Sequence, residues 1–194
     1  MAQQSPDGPR RTRNPQLHRD AILQAAGRAF AERGYRDATL REIARRAGVT
    51  HGLVVRHFGS KEELFLASVP GTRDLADTAS GPLDTLPERI ASGYVHRMEA
   101  SDGTDPFIAL LRSAVVDDSA AGRLLVAMQE SSIEVYGELL GREVAESVVP
   151  LLGSMLIGIT FSRYIVRSGA LAEMTTDELR DSLVRAIRAL LATG

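Results

Sequence analysis

The sequence predicts an all-α protein with a small helix-turn-helix unit at its head and a larger helical domain behind it. Three observations carry this. Apolar residues recur at helical spacing in one segment after another, and no stretch alternates with period two. Ser, Thr and Asp stand before these segments and Gly after them, where helices start and stop. Finally, charge is split along the chain: residues 1–61 hold 12 basic and 5 acidic side chains, against 11 and 20 in residues 62–194. A net −2 therefore hides a head of about +7 on a body of about −9, the asymmetry expected when the head meets a polyanion.

Residues 1–15 read as a flexible basic arm containing Arg10, Arg11 and Arg13. Asn14-Pro15 is a cap followed by a first-turn proline, and Ile22, Leu23, Ala26, Ala29 and Phe30 then form one stripe that ends near Gly34. Thr39-Leu40-Arg41-Glu42 has the capping-box pattern: the Thr hydroxyl accepts from the backbone three residues on and the Glu reaches back. Leu40, Ile43, Ala44 and Ala47 turn inward, and Gly48 supplies a positive φ for a tight stop. Thr50 caps a second short helix running to about His57. Gly59 breaks it, and Ser60-Lys61-Glu62-Glu63 reads as another capping box, before Leu64, Phe65 and Val69. Pro70-Gly71 ends that helix. Two short helices around a Gly-containing turn, about residues 39–58, make a helix-turn-helix within a DNA-binding domain of residues 16–76.

Residues 72–86 read as a connector, and residues 77–194 as a second domain. Helices are expected from Pro87 to about Ala100, with Ile90, Tyr94 and Met98 on one face, and from Phe107 to Val116 behind the Asp105-Pro106 cap. Two more run from Ser119 to Leu140 and from about Arg142 to Val166. A last one is opened by Thr176 and carries Leu179, Leu183, Ile187, Leu190 and Leu191. A kink is expected at Pro150.

Composition excludes several classes. There is no cysteine, hence no disulfide, thiolate zinc site or iron–sulfur cluster. The four histidines lack metal-ligand spacing, so neither metal nor cofactor is expected. No Ser/His/Asp or Cys/His ensemble, Gly-rich phosphate loop or HExxH motif argues for an enzyme. The longest apolar stretch, Val148 to Phe161, is interrupted by Pro150, Gly153, Ser154, Gly158 and Thr160, so no membrane span is expected. The head carries no apolar signal segment, and the expected location is cytoplasmic.

Residues 16–65 resemble the DNA-binding domain of the TetR family of transcriptional regulators. The resemblance rests on Ala21-Ile22-Leu23-Gln24-Ala25-Ala26 with Phe30, Gly34-Tyr35, the run from Thr39 to Thr50, Gly52, and Phe58-Gly59-Ser60-Lys61-Glu62-Glu63-Leu64. It implies that Thr39 and Arg41 meet phosphates. Thr50, His51, Gly52, Leu53 and Val55 lie on the recognition helix, and His57 and Lys61 grip the backbone again. Lys61, the only lysine, stands at a helix N-terminus, which favours phosphate as well. The family often carries Tyr at the position of Val55, whose methyls suit a thymine methyl instead, and Arg56 is a candidate to take over a phosphate or guanine contact. Thr39 also fits as a cap alone, and His57 as a packed histidine beside Phe58.

The resemblance further implies a homodimer on a palindromic or pseudo-palindromic operator, released by a small-molecule effector through a shift of the helix beginning at Lys61. An activator or effector-independent regulator fits the same sequence, and a helical module or enzyme that binds no DNA is the reading from another class. The segment Leu151 to Phe161 is apolar nearly all round, with Gly153, Ser154 and Gly158 allowing close approach. With Ile157, Leu183 and Ile187, these form the candidate dimer face, and an intramolecular core helix is the alternative. Tyr94, Met98, Phe107, Leu111, Met128 and Phe161 are candidates to line an effector pocket between the middle helices, though each also fits ordinary core.

Overall fold

A computed structural model describes residues 15–69, 75–101, 105–115 and 119–192. Among these there are helices and turns but no strand. The helices are α1 (Pro15–Asp37), α2 (Leu40–Arg46), α3 (His51–Phe58), α4 (Lys61–Ser68), α5 (Leu75–Ala79), α6 (Leu86–Ala100), α7 (Pro106–Val115), α8 (Ser119–Leu140), α9 (Arg142–Thr160), α10 (Ala170–Glu173) and α11 (Thr176–Leu191). Asn14, Pro70-Gly71, Val116 and the arm through residue 14 lie outside the described residues.

The head folds around the stripe of α1. Ile22, Ala26, Ala29 and Phe30 are fully buried, and Phe30 meets Phe65 edge-on at 5.0 Å and Tyr35 at 5.9 Å. Gly34 takes φ +74 and breaks the helical path near the end of α1. Gly48 takes φ +67 in the turn after α2, a conformation that L side chains rarely adopt. Thr39, Thr50 and Ser60 each accept a hydrogen bond from the backbone N–H three residues on. The reciprocal half of the first capping box does not form, because the Glu42 carboxylate is taken by Arg46 at 2.7 Å and Arg33 at 3.2 Å. The Arg33–Glu42 pair, with Arg46–Glu32 beside it, braces α2 against α1. Leu110, Leu111 and Phe107 of α7 and Leu124 of α8 complete this core, so it is shared with the helices behind the head.

The second core gathers Leu86, Ile90, Tyr94 and Met98 of α6, Ile108 of α7, Tyr136 of α8, Val149 and Leu152 of α9, and Leu179, Leu183 and Ile187 of α11. Part of the expected connector is helical: α5 and a 3-10 turn (Leu83–Thr85) lead into α6, which starts at Leu86. Arg89 secures this approach by donating to the carbonyl oxygens of Thr78 and Pro82. In α7, Asp105 caps the helix by accepting from Phe107 N at 2.8 Å.

Helix α9 carries Pro150 in its interior and runs on into a π-type turn (Phe161–Val166), closed by Arg167 N donating to Ser162 O at 3.0 Å. The segment Arg142–Val166 is thereby long and apolar enough to cross a membrane by length and composition, which corrects the reading that its small and polar residues interrupt it. A helix absorbs single Gly, Ser and Thr residues without losing continuity. The same apolarity suits a helix covered by protein on most sides. Arg163 holds the turn in place through Glu99 of α6 and the carbonyls of Leu171 and Met174.

The cap of α11 is Thr175 rather than Thr176. Its hydroxyl and N–H form a complete capping box with Glu178. The N–H and hydroxyl of Thr175 hold the Glu178 carboxyl below its ordinary range. A depressed carboxylate pKa stabilises the fold above the unfolded value and loses that contribution as pH falls through the folded one. The first turn of α11 is therefore expected to fray as pH falls below the ordinary glutamate range, seen as lower amide protection at Glu178, and Glu178→Gln should abolish this pH response.

Candidate nucleic-acid interface and ligand cavity

Helix α3 is amphipathic in a way that leaves one face free. Val54 and Phe58, four residues apart, bury into the head, and Arg19 of α1 lies over the Phe58 ring at 5.5 Å. Turning the helix that way presents Thr50, His51, Gly52, Val55 and Arg56 outward, with Leu53 half-buried beside them. At Gly52 an added Cβ would meet nothing within 4 Å, so no intrachain contact requires glycine there. Thr39 and Arg41 are also exposed. Arg41, Arg45 and Arg56 have no ion-pair partner among the described residues, whereas Arg46 is committed to Glu32 and Glu42. Both hydrogen-bonded carboxylates favour its charged form.

His57 is half-buried, 6.1 Å from Phe58, and joins Pro15, His18, Leu53 and Arg56 around a shallow cleft where α1 begins beside α3. Lys61 has a role inside the chain that its position at the start of α4 did not reveal. Its Nζ donates to the Arg36 carbonyl at 3.1 Å and sits 4.5 Å from the centre of the Tyr35 ring. It thus ties the end of α1 to α4. The neighbouring Glu62 carboxyl is held below its ordinary range by its own backbone N–H, the Tyr35 hydroxyl and Ser60, with Lys61 adding to this.

A cavity of about 680 Å³ lies among α6, α8 and α9 at the mouth of α7. Tyr94, Phe107 and Met128 line it. Met98, Leu111 and Phe161, expected there too, do not: Met98 is sealed in the second core and Leu111 in the first, while Phe161 is 38% exposed. Periodicity identifies the apolar face of each helix but not which of two cores it enters. Gly153, Ser154 and Ile157, expected at a dimer face, line the cavity. Leu183 and Ile187 are buried within the chain, packed with α6 in the second core. Gly158 and Ser154 remain exposed.

Of the cavity's polar groups, the sequence places only Tyr94 in a pocket. Burial pushes the Tyr136 hydroxyl up to about 12. Burial likewise raises Tyr94 to about 12, and its hydroxyl lies 2.9 Å from Thr160 Oγ1, which itself donates to the Leu156 carbonyl. Asp105, recognisable beforehand only as a cap, has a side chain 1% exposed and stands 3.3 Å from Arg97 Nε. Burial raises its carboxyl, with Arg97 and the Phe107 N–H opposing that shift.

The comparisons match this architecture part by part. Residues 22–68 fit the profile described as bacterial regulatory proteins, tetR family, and residues 84–191 fit the tetracyclin repressor-like C-terminal domain. The repressor AcnR of Corynebacterium glutamicum is 47% identical over 53 residues, covering 27% of this chain and 28% of that protein. The repressor KstR2 of Mycolicibacterium smegmatis is 38% identical over 90 residues, covering 42% of each. The chain thus matches less than half the length of these curated relatives, which are transcriptional regulators rather than enzymes. A TetR-family regulator of known structure from Streptomyces coelicolor is 29% identical, with a TM-score of 0.60 over 95% of this chain and 99% of that one. A regulator from Rhodococcus sp. at 20% identity shares the fold with a TM-score of 0.61 over 91% and 99%. The two profiles between them take in the helix-turn-helix head and the helical body, and the chain belongs to the TetR family of DNA-binding transcriptional regulators.

Proposed function

We propose that this regulator is a homodimeric repressor that a small molecule releases from a palindromic operator. The observation that carries the DNA contact is the outward face of α3, fixed by Val54 and Phe58 within a strongly basic head. His51, Leu53 and Val55 are placed to read base edges, with Gly52 letting the backbone come close. Thr39, Arg41, Thr50, Arg56 and His57 surround that face as phosphate contacts. Lys61 serves mainly to hold α4 against α1, and through α4's N-terminus to set where the backbone is gripped. The domain limits at residues 16–76 and 77–194 belong to the same reading.

A single short recognition helix makes few base contacts, so two are needed. The surface supporting a second copy is the outward stripe of α9, Leu151 at 57% exposure, then Ser154 and Gly158, continued by Phe161 at the start of the π-type turn. The cavity is the candidate effector site, with Tyr94, Phe107 and Met128 among its walls.

Gly52→Ala separates fold from recognition. Helix propensity predicts unchanged or slightly higher stability, by up to about 1 kcal/mol, since the added methyl meets nothing. Operator affinity is expected to fall at least tenfold. Thermal melts and an anisotropy titration on the same sample check both, and unaltered affinity would move the major-groove contact off this face. By contrast, Thr50→Ala removes the α3 cap and should cost about 1 kcal/mol.

A further inference from the structure

We infer that the cavity takes an amphipathic carboxylate, with its head group on Arg97 in competition with Asp105. The inference rests on the reading of the cavity as an effector site and adds the chemical class of ligand.

Arg97 is the cavity's guanidinium, and its side chain is only 17% exposed. Its Nε is buried with no hydrogen-bond partner. Asp105 Oδ2 is 3.3 Å away, near enough to attract but not aligned to accept. The geometry of Asp105 explains this, because its Oδ1 is fixed at 2.8 Å on the Phe107 N–H as the cap of α7. With Oδ1 held as the α7 cap, Asp105 offers only Oδ2 to Arg97 and cannot pair with the fork through both oxygens. Arg97 is further held from behind by the Phe107 ring, 5.6 Å from its guanidinium carbon. Arg97 thus brings a positive charge and an unpartnered Nε to a cavity whose wall is mostly apolar, with Tyr94, Tyr136 and Asp105 among its polar residues.

A guanidinium fork pairs best with a planar carboxylate, which accepts two parallel N–H bonds. A single negative charge also suits the site better than a phosphate dianion, since Asp105 already stands beside the position. The body of the ligand must be apolar. Ile90, Leu125, Val149, Leu152 and Leu156 form much of the wall, and the volume of about 680 Å³ is far more than the head group fills.

Occupancy has a route to the head. The Arg97–Asp105 pair ties α6 to the cap of α7, and Phe107 at that cap both lines the cavity and belongs to the core built on α1. A ligand carboxylate that draws Arg97 away frees the start of α7, the helix packed along α1.

Calorimetric titration of the full chain, without DNA, against decanoate, 1-decanol and decylamine tests this. Decanoate is expected to bind at least tenfold more tightly than either neutral or cationic analogue. Arg97→Gln should erase that preference while leaving decanol binding unchanged. Asp105→Asn keeps a capping side chain but removes the rival charge, and should tighten decanoate several-fold. The inference is overturned if decanol or decylamine matches decanoate, if none of the three binds, or if the preference survives Arg97→Gln. Should Arg97→Gln fail to fold, Asp105→Asn decides, and unchanged or weaker decanoate binding overturns the inference. A protein that binds operator DNA but no carboxylate refutes only this inference; one that binds decanoate but no DNA refutes only the regulator reading.

Discussion

Phe30→Ala is expected to remove about 3–5 kcal/mol of stability, the range for deleting a fully buried phenyl ring and leaving a void. Phe30 sits where α1 and α4 meet, with Phe65 at 5.0 Å and Tyr35 at 5.9 Å, and Tyr35 and Phe65 pack edge-on to each other at 5.4 Å. Removing the shared ring loosens both contacts at once, at a site that is fully buried. Against a total of about 5–15 kcal/mol for a typical domain, the loss is large. Because α7 completes the same core, the effect should reach the body as well as the head. Urea unfolding followed by circular dichroism measures it. A loss below about 1 kcal/mol would mean that the aromatic cluster is not the keystone of the head.

The second large effect is expected from Leu151→Glu combined with Phe161→Glu. Both side chains are exposed in the isolated chain, so the substitutions should leave its fold intact. They place two charges on the stripe of α9 assigned to the second copy, where burial of an unpaired carboxylate is prohibitive. The variant should sediment as a monomer. With one recognition helix instead of two, operator affinity should fall at least a hundredfold, toward the non-specific range of about 10⁻⁴–10⁻⁶ M. A variant that remains dimeric would place the interface on another face and leave α9's apolar stripe unexplained.

The head was readable in the sequence because its determinants are local. Thr39, Thr50 and Ser60 announce their helices by identity and spacing alone, and Gly48 sits where the chain must turn with positive φ. What escaped is decided by contacts distant along the chain. Glu42 fits a capping box on paper, yet two arginines outbid its own cap. Leu183 and Ile187 form an apolar stripe whose spacing cannot say whether α6 of the same subunit or a partner will cover it. Met98 and Leu111 are core residues at helical spacing, but two cores meet at α7, and only the packing assigns each residue to one. Lys61 illustrates the limit on function. A lysine at a helix N-terminus suggests phosphate, whereas here its ammonium group already caps the end of α1 and lies over Tyr35. The Arg97–Asp105 pair had no sequence signature, because it joins the end of α6 to the cap of α7. The short helices α5 and α10 span too few residues for a hydrophobic period to show.

The most direct test of the account is a salt series of DNA binding on a duplex selected by the protein from fragmented genomic DNA. The account predicts a palindromic or pseudo-palindromic site bound as a dimer, with a dissociation constant of about 10⁻⁸–10⁻¹¹ M near physiological salt. Affinity should fall steeply as salt rises, linear on logarithmic axes, because each counterion displaced by phosphate contacts from Arg41, Arg56 and their neighbours gains less entropy in more concentrated salt. A selection that enriches no site, or binding that ignores salt, would contradict it.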